Sequence, residues 1–100
     1  MRNDKAIAGR TDDQYRKNAR LYRVLANPKR LKILNLLIDG EMQVEELAKF
    51  IKIPLPNLSQ HLFVLKQNHL VSFRKSGKKV YYKLLDKKIV EPCNILDKLE

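Results

Sequence analysis

The sequence predicts a mainly helical domain with one β-hairpin, and three patterns carry that reading. Apolar residues recur at helical spacing through most of the chain, prolines and glycines punctuate the periodic segments, and residues 71–85 alternate with the two-residue period of strands. At 100 residues, 44% of them apolar, the chain is one small domain with enough hydrophobic side chains to fold. Its apolar runs fall far short of the ~20 residues of a membrane span, so no membrane is expected as a partner.

Residues 1–10 mix charges with small residues and read as a flexible N-terminal arm ahead of a folded domain over 11–100. Thr11 supplies an N-cap and Asp12 and Asp13 put acids in a first turn. Tyr15, Asn18, Ala19, Tyr22, Leu25 and Ala26 then recur at helical spacing, giving a helix over 12–25. Asn27-Pro28 interrupts it, and Pro28 opens a second, nearly buried helix that runs to Ile38 and is stopped by Asp39-Gly40. Val44, Leu47, Ala48 and Ile51 define a short third helix, with Glu45 and Glu46 in the first turn where the helix dipole favours negative charge. After the break at Lys52-Ile-Pro-Leu-Pro56, Leu58, His61, Leu62 and Leu65 mark one face of a fourth helix ending near Asn68-His69, so that the third and fourth make a helix-turn-helix candidate. Val71-Ser-Phe-Arg and Val80-Tyr-Tyr-Lys-Leu-Leu85 form a hairpin with Lys75-Ser-Gly-Lys-Lys79 as its basic tip. Ile89, Cys93, Leu96 and Leu99 predict a last helix over 87–99, which Pro92 obliges to start late or kink.

The charge is strongly unbalanced. Lys and Arg number 21 against 11 Asp and Glu, for a net +10, which points to a polyanionic partner. Residues 1–32 hold ten basic and three acidic side chains, residues 33–71 three and four, and residues 72–88 seven and one, so the excess lies on two flanks of a nearly neutral middle. Cys93 is the single cysteine, which excludes an intrachain disulfide, and the start lacks the apolar segment of a secretory signal; a cytoplasmic location is expected. Two histidines and one cysteine assemble no convincing nucleophilic constellation and no glycine-rich phosphate loop exists, so neither an enzyme nor a cofactor is expected.

The element order is that of a winged helix-turn-helix domain with extra terminal helices. Leu25-Ala-Asn-Pro-Lys-Arg-Leu-Lys-Ile-Leu34, Val44-Glu-Glu-Leu-Ala48, Leu58-Ser-Gln-His-Leu62 and Leu70-Val-Ser-Phe-Arg-Lys-Ser-Gly-Lys-Lys-Val-Tyr-Tyr82 resemble the ArsR/SmtB family of transcriptional repressors over about residues 14–90. The resemblance implies a homodimer that binds a palindromic operator in double-stranded DNA and releases it when an inducer, often a metal ion, is sensed. The expected dimer contacts are the helices over 12–25 and 87–99, whose apolar stripes a 100-residue monomer would struggle to cover.

With Leu58, His61, Leu62 and Leu65 turned inward, Pro56, Ser59, Gln60 and Phe63 project from the opposite side of the fourth helix, toward the major groove. Gln60 suits bidentate contact with adenine, Ser59 and Asn57 suit phosphates or base edges, and Phe63 suits a thymine methyl. His61 reads as a packed, hydrogen-bonded histidine rather than a metal ligand. On the hairpin, Arg74, Lys75, Lys78 and Lys79 are candidate phosphate contacts. Arg10, Arg16, Lys17, Arg20 and Arg23 are read as a solubilising surface, and Tyr81 and Tyr82 as strand-packing residues. Pro54-Leu-Pro56 departs from the family pattern, in which a Ser N-cap is followed by Gln and Ser, and Leu55 has no group with which to hydrogen-bond a base.

The family's metal ligands are missing too. Glu41-Met-Gln-Val-Glu45 stands where the resemblance places a Cys-x-Cys pair in the third helix, and Asp86, Lys88, Lys98 and Glu100 stand where it places Asp, two His and Glu. Lysines there would repel a cation, so no metal site is expected. The expected input is instead a small ligand, a partner, or oxidation joining Cys93 of two chains, although packing is the reading preferred for Cys93. A winged-helix protein-interaction module and a non-specific architectural DNA binder are the alternatives.

Overall fold

Thr11 opens the first helix with a reciprocal cap: its Oγ1 accepts from the Gln14 N–H at 3.2 Å while its own N–H donates to Gln14 Oε1 at 2.9 Å. Helix α1 (Asp12–Leu25) follows with the expected bounds. The computed structural model describes residues 9–99, except for the side chains of residues 92–95. Apart from Gly9 and Arg10, the expected arm therefore lies outside the described residues, as do Glu100 and the packing of Cys93.

Asn27 Oδ1 accepts from the N–H groups of Lys29 and Arg30 at 3.0 and 3.2 Å, and Pro28 occupies the first turn of α2 (Pro28–Leu36), where its missing N–H is no loss. The helix stops short of the expected Ile38: Leu37–Asp39 form a turn, and Gly40 adopts φ 140°, a conformation that L side chains rarely adopt. A strand that the sequence pattern does not show follows, β1 (Met42–Gln43), so the segment expected at the start of the third helix lies in and before a strand. Helix α3 (Val44–Ile51) ends on Lys52 in the left-handed conformation. Helix α4 (Leu55–Gln67) starts earlier than the leucine spacing indicates, with Pro56 in its first turn and Pro54 as an N-cap that offers no side-chain bond.

The C-terminus of α4 sets the wing. His69 takes φ 59°, its N–H donates to the Lys66 carbonyl at 3.0 Å, and the Leu70 N–H donates to the Leu65 carbonyl at 3.0 Å, the paired bonds of a Schellman stop. Strands β2 (Val71–Ser76) and β3 (Lys79–Leu84) form the expected hairpin, with Ser76 paired to Lys79 across a two-residue turn. Gly77 supplies the positive φ, 62°, at the first turn position, as a II′ turn requires. β1 pairs antiparallel with β3, giving the order β1-β3-β2. A 3₁₀ turn over Lys87–Val90 precedes α5 (Glu91–Leu99), so the last helix starts late, with Pro92 in its first turn.

The core is wholly apolar. Ile33, Leu34 and Leu37 of the α2 segment, Leu47 and Ile51 of α3, and Leu58, Leu62 and Leu65 of α4 meet Leu70, Val71 and Val90, and no polar side chain is buried among the described residues. Helix α1 lends only half-buried Leu21, Val24 and Leu25 to this cluster and has no buried residue of its own. The molecule is accordingly long, 59 × 30 × 22 Å, with a radius of gyration of 16.1 Å, against ~13 Å for an ordinary 100-residue domain. No described helix is long and apolar enough to cross a membrane.

Leu62 is 1% exposed and central to this cluster. Leu62→Ala is expected to destabilise the fold by about 2–5 kcal/mol, read as a lower urea midpoint with an unchanged m value.

Candidate nucleic-acid interface

Three buried leucines, Leu58, Leu62 and Leu65, orient α4 and thereby decide what it presents outward. Pro56, Asn57, Ser59, Gln60 and Phe63 are all exposed, Phe63 to 58%. Among the described residues no side-chain hydrogen bond engages Asn57, Ser59 or Gln60, so their donors and acceptors are open to a ligand. Leu55 is half exposed beside them, a consequence of the helix starting one residue after Pro54.

His61 lies at the edge of this surface. Arg30 of α2 donates from Nε to His61 Nδ1 at 3.3 Å and from Nη1 to the Val24 carbonyl of α1 at 3.1 Å. One guanidinium thus ties α1, α2 and α4 together. Burial first, and then the charges of Arg30 and Lys29, push the His61 imidazole below its ordinary 6.5. His61 is held neutral with Nδ1 as acceptor, which agrees with the packed, hydrogen-bonded role read from the sequence.

Alternation along β2 splits the candidate wing residues. Phe73 and Lys75 share one side of the hairpin with Val80 and Tyr82; Phe73 and Tyr82 stack with ring centroids 5.6 Å apart, and Lys66 of α4 places its ammonium 4.3 Å from the Phe73 ring. Arg74 and Lys79 lie on the other side, and Lys78 is at the turn. Lys75, Lys78 and Lys79 are exposed and make no ion pair among the described residues. Arg74 differs. Its guanidinium stacks 4.4 Å over the Tyr81 ring, donates from Nε to Glu41 Oε2 at 2.9 Å, and pairs through Nη2 with Glu41 Oε1. Those hydrogen bonds, followed by the charges of Arg74 and Lys83, hold the Glu41 carboxyl below its usual range. The sequence pattern carries no signal for this pair, whose members lie 33 positions apart. Tyr81 and Tyr82 are half-buried in the sheet, and burial raises the Tyr82 phenol.

Among the described residues no three His, Cys, Asp or Glu side chains come together. Glu41 is engaged by Arg74, and Asp86 caps the 3₁₀ turn by accepting from the Lys88 N–H at 2.9 Å.

A family model described as bacterial regulatory protein, arsR family, matches residues 27–72, from the cap of α2 into β2. Over 88 residues the chain is 34% identical to an uncharacterised HTH-type transcriptional regulator of Methanocaldococcus jannaschii, covering 87% of this chain and 99% of that one. It is 37% identical over 89 residues to the biofilm growth-associated repressor of Xylella fastidiosa, covering 87% and 78%. A solution structure of a homodimeric winged helix-turn-helix DNA-binding domain from Mycobacterium bovis superposes with a TM-score of 0.75 at 31% identity, covering 93% of this chain and 89% of that one. Helix-turn-helix α3–α4 with its β2–β3 wing therefore defines a winged helix-turn-helix transcriptional regulator, a class distinct from enzymes. The chain belongs to the arsR family of bacterial regulatory proteins.

The neutral His61 has a pH consequence. Its folded pKa lies below the unfolded 6.5, so the unfolded chain binds the extra proton; stability is level above about pH 6.5 and falls as pH drops through and below that value. Urea midpoints from pH 8 to 5 are expected to follow that course. Arg30→Met, which removes the adjacent charge, is expected to move the His61 NMR titration midpoint upward.

Proposed function

We propose that the chain is a sequence-specific repressor that binds a palindromic operator in double-stranded DNA as a homodimer. The observation that carries this reading is the exposed polar face of α4, free of side-chain partners among the described residues and adjoining a wing with three open lysines. A helix of this kind fits the ~12 Å major groove, where the Gln60 carboxamide matches the donor–acceptor edge of adenine. Ser59 and Asn57 reach a phosphate or base edge, Pro56 and Phe63 offer apolar contact, and Lys75, Lys78 and Lys79 neutralise phosphates. Arg74 shares their charge and their hairpin but not their role. Its pairing with Glu41 makes it a brace of the wing base in the free protein and leaves the lysines as the open charges.

Dimerisation through α1 and α5 is supported by the exposure of Tyr22 at 68%, Leu96 at 60% and Leu99 at 76%, and by the length of the molecule. The Mycobacterium bovis relative is described as homodimeric. A two-fold axis presents two copies of α4 to two half-sites about one helical turn apart.

Selection from random duplex DNA tests the reading. An enriched palindrome is the expected result; diffuse enrichment would indicate an architectural binder, and none a protein-interaction module. Gln60→Ala is expected to cost about 1–3 kcal/mol on the selected site and to relax preference at one base pair. Lys78→Ala with Lys79→Ala is expected to weaken binding to all sequences and flatten the salt slope by about 0.9 for each phosphate no longer neutralised. Sedimentation at micromolar concentration is expected to give twice the 11.8 kDa chain mass; the single-chain mass alone would refute the dimer.

A further inference from the structure

Three large apolar side chains of the helix-turn-helix stand open to water, Phe50 of α3 and Leu55 and Phe63 of α4. The two on α4 are eight residues apart with the exposed Ser59 midway, so the three form one ridge of i, i+4 neighbours that runs ~12 Å along the helix. Leu55 begins at the edge of the core. Leu58, three residues on, is fully buried, whereas half of the Leu55 surface remains in water at the N-terminal end of α4. Prolines flank it on both sides, and all three residues of Pro54-Leu-Pro56 are exposed. The first turn of the recognition helix thus carries no side-chain donor or acceptor before Asn57.

We propose that Leu55 is a specificity-determining residue and that Leu55 and Phe63 together read thymine through its C5-methyl group, a step that rests on the repressor reading above. A recognition helix enters the major groove with its N-terminal residues at the base edges. The methyl of thymine is the single apolar group that the four base pairs display in that groove. Neither side chain can answer a base donor or acceptor, so a base edge without a methyl would face Leu55 or Phe63 with its polar atoms unpaired. Contact with a methyl instead removes apolar surface from water on both partners.

The surroundings of the ridge fit a duplex rather than an apolar peptide. Ser59 interrupts it and Gln60 adjoins it with open polar groups, and the wing beside it carries the unpaired charges of Lys75, Lys78 and Lys79. Its ~12 Å length matches roughly three base-pair steps at the ~3.4 Å rise of DNA. Leu55 and Phe63 therefore reach methyl groups at two separate positions of one half-site, while Gln60 between them hydrogen-bonds an adenine. Thymine is recognised on that half-site by what it lacks as well as by what it has: the two apolar readers reject the other three bases for want of a methyl.

Deoxyuridine in place of thymidine, one position at a time in the selected operator, tests this by fluorescence anisotropy of the labelled duplex. Uracil pairs with adenine, keeps every hydrogen-bonding group of thymine and lacks the methyl alone. Affinity is expected to fall about four-fold for each contacted methyl removed, and about fifteen-fold when the same position is changed in both half-sites. One position is expected to lose this sensitivity in Leu55→Ala and a second in Phe63→Ala, each variant keeping it at the other position. Both changes are at exposed positions, and circular dichroism verifies that each variant folds. Selection of a palindrome whose binding is indifferent to uracil at every thymine, or whose half-site holds no thymine, overturns the methyl reading and leaves the repressor reading standing. Uracil sensitivity that persists undiminished at every position in Leu55→Ala overturns the assignment of Leu55, and in Phe63→Ala that of Phe63. A protein that selects no DNA overturns the repressor reading and the methyl reading with it.

Discussion

Burial of Leu58, Leu62 and Leu65 on one side of α4 is the constraint on which the remaining architecture depends. These side chains share one buried cluster with Ile33 and Leu34 of α2, Leu47 and Ile51 of α3, and Leu70, Val71 and Val90, and that packing fixes the direction in which Ser59, Gln60 and Phe63 point. At ~25 cal/mol per Å² of apolar surface removed from water, this cluster supplies most of the favourable free energy available to so small a domain. The residues proposed to read DNA contribute almost none of it. That separation lets the outer face of α4 vary without cost to the fold, and it explains how Pro54-Leu-Pro56 is accommodated: the first turn of a helix needs no N–H from Pro56, while the leucines continue to set the orientation.

Polar groups act at the boundary of the core rather than inside it. The Arg30 guanidinium joins the Val24 carbonyl to the His61 imidazole and so keys α1 to α4. The Schellman stop at His69 and Leu70 performs the corresponding task at the other end of α4, turning the chain directly into β2. Orientation thus passes from the recognition helix to the long α1 on one side and to the wing on the other through a handful of directional bonds. Breaking such a bond alters geometry before it unfolds the protein.

The net charge of +10 is less evenly available than a residue count implies. Arg74 is neutralised by Glu41 and stacked on Tyr81, Lys66 lies over Phe73, and Asp13 pairs with Arg16 at 3.7 Å and with Lys17 at 3.3 Å on the exposed face of α1. Lys75, Lys78 and Lys79 keep open positive charge on the wing, where it suits an extended polyanion.

Much of this architecture is written locally in the chain. The Thr11 cap and its acidic first turn bound α1 at 12–25, the leucine spacing sets the inward face of α4 and hence its outward one, and Gly77 between alternating segments marks the hairpin. Pro92 forecasts the late start of α5 because a proline is tolerated in a first turn and not beyond it. Tertiary packing decided the rest. β1 is two residues long, too short to show a period, and exists because β3 offers it an edge. α2 ends at Leu36 rather than Ile38, where the chain passes into the turn over 37–39 ahead of Gly40. The bond between Arg74 and Glu41 spans 33 positions, and that between Arg30 and His61 spans 31. Pairings of that kind leave no trace in spacing or propensity, since they arise only once the leucine core has brought distant segments within reach of each other.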